Sequence, residues 1–201
     1  MRAKGSGVCK GFHRLEIAAV LLALALGAST AAALGGVSFP DPVGDVKGGA
    51  GPDLVSISVS HTSSAVTFRL RFATAPPLGV SVRERWVDML LVGIDVPPRG
   101  LKRGPYGWLG ADYYAGLHGM EKTAILVRAP TAKSGQGRVL ARTKAVVAGR
   151  TVSFSVSRAK LGDPDWFEFV VAAGREMSDQ SIGGGADEAP ARGAFHYQLR
   201  R

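Results

Sequence analysis

The densest group of potential metal ligands lies in one loop near the start of the chain. Asp41, Asp45 and Asp53 fall within thirteen residues, D-P-V-G-D-V-K-G-G-A-G-P-D, that are otherwise mostly glycine, proline and valine. Calcium takes 6 to 8 oxygen ligands, and glycine lets the backbone curl so that carbonyl groups can join the carboxylates. The spacing is compatible with a calcium loop. It is also compatible with a solvated loop in which each aspartate stabilises a turn.

A second group combines positive charge with aromatic rings. Arg99, Lys102 and Arg103 precede the glycine-framed segment that carries Tyr106 and Trp108. Aromatic faces stack on sugar rings, and basic groups hold anionic saccharides or phosphate-bearing polymers. These five residues are therefore our predicted ligand-binding residues. The alternative is that the rings pack in a core.

Catalytic motifs are missing from the sequence. It has no G-x-S-x-G elbow, no H-E-x-x-H, no Walker A loop and no EF-hand loop. His61, His118 and His196 have no local triad partners, so we expect surface or strand-edge histidines. Asp163 and Asp165 flank a proline, where turn chemistry accounts for them. We predict no catalytic residue and a protein that is not an enzyme.

The first 33 residues have the form of an export signal. A basic stretch precedes the apolar run 17–28, and Ala31 and Ala33 fit the small-residue rule for cleavage. We expect residues 1–33 to be removed and the protein to be secreted or retained at the cell envelope. The rival interpretation is an uncleaved anchor over 17–34, whose 18 uncharged residues are just long enough to span a bilayer.

Charge and cysteine content indicate which binding partners to expect and whether a disulfide can form. The chain has 25 basic and 16 acidic residues, a net charge of +9; loss of the signal would leave 21 and 15, a net of +6. The one cysteine, Cys9, would leave with the signal, so no disulfide is expected. The cations are scattered along strands, which argues against nucleic acid and favours carbohydrate or anionic envelope polymers. No integral membrane span is expected after cleavage.

The elements that must position these residues are strands. Apolar and polar residues alternate over 55–60, 66–72 and 152–157, and 89–94 is apolar almost throughout. Weaker patterns predict five further strands, at 112–117, 123–128, 139–147, 167–172 and 194–199. A period of two places alternate side chains on opposite faces of a sheet. Beyond one possible turn at 158–161, no segment after the signal has a sustained helical period. We predict an all-β fold, a single antiparallel β-sandwich of about eight or nine strands over residues 34–201.

The opening of this domain resembles a known type. The D-P-V-G-D loop, its glycine-rich continuation, an aspartate and then two alternating strands resemble the start of secreted DOMON-like or family 9 carbohydrate-binding-module-like β-sandwiches. The segments 110–114 and 187–190, G-A-D-Y-Y and D-E-A-P, resemble later elements of that type.

The resemblance implies a β-sandwich fold and a calcium ion held by Asp41, Asp45 and Asp53. It adds Asp187 as a further candidate, because the closing D-x-x-P segment lies near the same end in such domains. We therefore expect a non-catalytic binding module for carbohydrate, stabilised by calcium. The alternatives are a scaffold or protein-interaction domain without a small ligand, a secreted hydrolase, or a heme-binding electron-transfer module. For heme, no methionine–histidine pair is placed convincingly.

Overall fold

The structure is a computed structural model. The residues that it describes fold mainly into two antiparallel sheets. The described residues are 34–47, 51–76, 78–81, 86–97, 110–119, 121–130, 137–177 and 182–199. The predicted signal peptide, residues 1–33, lies outside them. So do all five predicted ligand-binding residues, Arg99, Lys102, Arg103, Tyr106 and Trp108.

Thirteen strands occur within the described residues. They are β1 (Gly35–Pro40), β2 (Leu54–His61), β3 (Ala65–Phe72), β4 (Val80–Ser81), β5 (Trp86–Asp95), β6 (Tyr113–His118), β7 (Thr123–Arg128), β8 (Arg138–Lys144), β9 (Val146–Ala148), β10 (Thr151–Ser157), β11 (Trp166–Met177), β12 (Ile182–Ala189) and β13 (Phe195–Gln198). One 3-10 turn, Ala159–Leu161, ends at Gly162 and confirms the turn predicted there. No helix in the described part of the chain has the length and apolar character that a membrane crossing requires.

The strands divide between a five-stranded and an eight-stranded sheet. The five-stranded sheet has the order β1-β2-β3-β10-β9, and the larger sheet runs β12-β11-β5-β6-β7-β8. In the larger sheet β13 also pairs with β11, and β4 pairs with β5. Every strand pair within the described residues is antiparallel.

A shared apolar core lies between the sheets. Phe68 on β3 of the smaller sheet contacts Phe167 and Phe169 on β11 of the larger one, with ring centroids 6.0 and 5.7 Å apart. Phe39 on β1 adds a perpendicular contact to Phe169 at 5.2 Å. One cluster of buried residues joins strands of both sheets. The predicted β-sandwich is therefore confirmed.

The predicted strand number is too low. The nine predicted segments match ten of these strands, because one segment, 139–147, covers both β8 and β9; β1, β4 and β12 were not predicted. β12 reads I-G-G-G-A-D-E-A, and its three glycines leave little apolar pattern to detect. The stretch 139–147 divides at Ala145 into β8, which belongs to the larger sheet, and β9, which belongs to the smaller one.

One of the histidines expected at a surface or strand edge is buried. His61 ends β2 with only 2% of its surface exposed, and its Nδ1 atom lies 2.7 Å from the hydroxyl oxygen of Tyr197 on β13. The two rings also meet edge to face, with centroids 5.6 Å apart. This polar contact joins the two sheets within the core.

Close packing between β5 and β6 makes Gly116 a sensitive position. A Cβ atom at Gly116 would lie 2.1 Å from the carbonyl oxygen of Leu90, which is backbone and cannot move aside. We expect Gly116→Ala to destabilise the protein by about 2–3 kcal/mol in chemical denaturation. Gly36→Ala is the matched control, because its Cβ would have no neighbour nearer than 3.7 Å. Equal stability of the two variants would contradict the packing.

Candidate metal centre

Three of the four predicted metal ligands lie together. One carboxylate oxygen from each of Asp41, Asp45 and Asp187 lies within 4.8 Å of the other two. Asp41 directly follows β1 of the smaller sheet, Asp45 lies in the same loop between β1 and β2, and Asp187 lies on β12 of the larger sheet. The cluster is therefore assembled across the edges of two different sheets.

The fourth candidate, Asp53, closes the loop. Its two carboxylate oxygens accept hydrogen bonds from the backbone N–H of Gly44, at 3.1 and 3.0 Å. Gly44 has a φ of +86°, a conformation that glycine adopts without a steric penalty. The resulting turn lies between Asp41 and Asp45, so Asp53 shapes the loop that presents two of the clustered carboxylates.

Backbone contacts attach this loop to both sheets. The Asp41 N–H donates to the carbonyl of Val55 on β2 at 3.0 Å. On the other side, Lys47 and Ala186 exchange backbone hydrogen bonds of 2.9 and 3.0 Å. The Lys47 ammonium also pairs with Glu188 on β12 at 2.7 Å. The loop is therefore held against β12, where Asp187 lies.

Two of the clustered carboxylates are buried. Asp41 is 7% exposed and Asp187 is 1% exposed, while Asp45 faces solvent. Asp187 Oδ2 accepts a hydrogen bond of 2.5 Å from the Leu54 N–H. Asp41 Oδ2 and Asp187 Oδ1 have no hydrogen-bond partner among the described residues. Burying a carboxylate oxygen without a hydrogen-bond partner costs free energy. A proton or a bound cation would therefore stabilise these two oxygens.

The pKa values of both buried groups reflect this cost. Burial, followed by repulsion from Asp187, Asp45 and Asp53, raises the pKa of Asp41 to about 7. Burial also raises the pKa of Asp187 to about 6, against the opposing hydrogen bonds from the Leu54 and Glu188 backbone. A bound cation would oppose both shifts, because it stabilises the charged form of each carboxylate.

The donor chemistry suits a hard divalent cation. Three carboxylates supply oxygen ligands of the kind that calcium and magnesium prefer, rather than the nitrogen and sulfur donors typical of zinc or copper sites. Exposed Asp45 gives a cation access from solvent, and Asp41 and Asp187 would bind it from within. Calcium accepts an irregular set of six to eight oxygens, which fits a loop site better than the strict octahedron of magnesium.

Spacing alone could not have found the complete cluster. Asp41, Asp45 and Asp53 are neighbours in the chain, but Asp187 is separated from them by most of the domain. It entered the prediction only through the D-E-A-P resemblance. The supporting contact between Lys47 and Glu188 was not predicted, because nothing local in the sequence indicates it.

Comparison with known proteins adds no family: no protein-family model matches the chain, and no curated protein matches it significantly. The resemblance to DOMON-like and family 9 carbohydrate-binding-module-like domains remains a prediction.

The raised pKa values predict how the metal-free protein responds to pH. Between the ordinary pKa of 3.8 and the folded values of about 6 and 7, the folded state binds protons more tightly than the unfolded chain. These two groups therefore contribute stability at low pH that is lost as the pH rises through this window. In EDTA, we expect the melting temperature to fall from pH 5 to pH 7.5 more steeply than in Asp41→Asn. Parallel pH profiles for the two proteins would contradict the assignment.

Proposed function

We propose that the protein is a non-catalytic binding module that acts at the cell envelope and is stabilised by calcium. One observation supports the cation: two oxygens of the buried Asp41 and Asp187 lack partners among the described residues, beside solvent-facing Asp45. Their burial costs free energy that only protonation or a cation offsets.

The proposed role of the cation is structural. Asp41 and Asp45 belong to the loop between β1 and β2, whereas Asp187 belongs to β12 of the other sheet. A cation held by all three would join the sheets at this end of the sandwich. The expected mature chain has no cysteine, so a metal ion would provide a cross-link that a disulfide cannot.

The proposed partner is a carbohydrate or an anionic envelope polymer. The expected net charge of +6 after signal removal favours anionic partners. The basic and aromatic residues Arg99, Lys102, Arg103, Tyr106 and Trp108 supply the groups that recognise sugars and anions. A scaffold without a small ligand is the alternative, and hydrolase or heme-binding functions are less favoured because catalytic motifs and a convincing axial pair are missing from the sequence.

The cation proposal predicts a calcium-dependent melting temperature. At pH 7.5, calcium at a hundred times its dissociation constant should stabilise the wild type by about 2.7 kcal/mol, or roughly 5–10 °C. Asp41→Asn removes one ligand charge and should abolish this shift. Because Asn also removes a desolvated charge, the metal-free variant should be more stable than the metal-free wild type by about 1–2 kcal/mol, and its melting temperature should be higher.

Asp163→Asn is the matched control for this melting-temperature measurement. Asp163 is an exposed turn residue with a φ of +50°, a conformation that asparagine tolerates. This variant should retain the full calcium shift. A wild-type melting temperature that millimolar calcium leaves unchanged would refute the site.

The carbohydrate proposal predicts binding that depends on Trp108. Stacking of an aromatic ring on a sugar contributes about 1 kcal/mol or more, so Trp108→Ala should weaken binding on a glycan array about fivefold to tenfold. The variant should keep the wild-type melting temperature. Identical array profiles for wild type and variant would remove Trp108 from the site, and an array with no bound glycan would favour the scaffold alternative.

A further inference from the structure

The outer face of the five-stranded sheet forms a groove. Its lining extends from Ser38 on β1 to Val146 on β9, the two edge strands of that sheet, and its volume is about 920 Å³. Residues from both edge strands line this depression, so it spans the width of the sheet.

The strand register arranges the lining in rows. One row runs across four strands through Ser38, Ser58, Arg69 and Ser153. The adjacent row runs through Ser56, Arg71 and Thr151. We call the face formed by these seven residues the serine–arginine groove. Each arginine lies on central strand β3 with a short hydroxyl residue on either side.

Spacing within the groove follows from sheet geometry. Arg69 and Arg71 are two residues apart on one strand, so their Cα atoms are about 6.7 Å apart, and neighbouring strands are about 4.8 Å apart. The two guanidinium groups therefore stand above a grid of hydroxyl groups. Two of the hydroxyls, those of Ser58 and Ser38, lie 3.3 Å apart and already form a hydrogen bond.

The groove carries unbalanced positive charge. Arg69 and Arg71 are both exposed, and neither has an ion-pair partner among the described residues. Among those residues, the lining also has no carboxylate. Guanidinium groups bind carboxylate, sulfate or phosphate through paired hydrogen bonds, and the surrounding hydroxyls match a ligand rich in hydroxyl groups.

We propose that the serine–arginine groove binds an acidic polysaccharide, an inference that rests on the proposed binding function. Arg69 and Arg71 hold two acidic groups of the polymer, and the serine and threonine hydroxyls bond to its sugar hydroxyls. The described lining has no aromatic ring on which a neutral sugar or a nucleobase could stack. Its apolar part is limited to Val146 and Ala148, which is little for a protein partner. A second copy docked face to face would oppose arginine to arginine.

Carboxymethyl-dextran tests the groove, because dextran has the same backbone without the acidic groups. We expect the purified protein to bind carboxymethyl-dextran but not dextran in titration calorimetry at low salt. Arg69→Gln and Arg71→Gln should each weaken binding about tenfold. The double variant Arg69→Gln with Arg71→Gln should weaken binding further. The control double variant Arg128→Gln with Arg192→Gln removes the same two charges from exposed positions outside the groove and should bind within about twofold of wild type.

A hydroxyl variant separates sugar recognition from simple charge attraction. Ser58→Ala combined with Ser153→Ala should weaken binding of carboxymethyl-dextran several-fold and leave the binding of polyphosphate, which has no sugar hydroxyls, unchanged. All these positions are exposed or half-buried, so melting temperatures should stay at the wild-type value.

Each contrary result is distinct. Three results would contradict binding of an acidic polysaccharide in the groove. They are equal weakening by the groove and control double variants, polyphosphate binding as tight as that of carboxymethyl-dextran, and no binding to carboxymethyl-dextran. Binding that survives Arg69→Gln with Arg71→Gln but is lost in Trp108→Ala would overturn the groove and leave the proposed function standing. Wild-type dimerisation, measured by sedimentation and abolished in the groove variant, would assign the face to a second copy.

Discussion

The packing of the two sheets on one apolar core positions both the acidic cluster of Asp41, Asp45 and Asp187 and the serine–arginine groove. On β3, the residues Val66, Phe68 and Leu70 are all buried in this core. The residues between them, Thr67 and Arg69, and then Arg71, point to the opposite face because side chains alternate along a strand. The alternation that buries the phenylalanine cluster therefore also builds the groove. A shift of one residue in the pairing of β3 would bury the arginines and expose the core.

The edge of the sandwich carries a different balance of forces. There the loop after β1 meets β12, and Asp41 and Asp187 are buried beside each other. Backbone contacts hold the loop in place, but they satisfy only part of the carboxylate oxygens. Electrostatic cost is thus concentrated at one point between the sheets. Under the proposed function, a calcium ion neutralises these carboxylates and cross-links the two sheets.

Strand β1 connects the two regions physically. Ser38, in the middle of the strand, lies in the groove, and three residues later the chain reaches Asp41 in the acidic cluster. β1 is an edge strand and pairs only with β2 in the described structure. Its position therefore depends on one set of ladder hydrogen bonds and on the packing of Phe39 against Phe169.

Much of the fold was predictable because burial on a sheet leaves a local pattern. The alternating stretches that became β2, β3 and β10 identified both the strands and their buried residues. Gly-rich β12 and the two-residue β4 carry too few apolar side chains to give such a pattern. The break at Ala145, where the chain passes from one sheet to the other, leaves no local signal either.

For the sites, the sequence by itself determined the chemistry of the parts: a loop with three aspartates, and strands whose polar positions hold serine, threonine and arginine. Only the tertiary structure decided that Asp187 joins Asp41 and Asp45 while Asp53 bonds to Gly44. It likewise placed Arg69 beside Ser58 and Ser153 in one row. Side-chain alternation is a property of neighbouring residues, whereas strand register and loop docking depend on contacts between segments far apart in the chain.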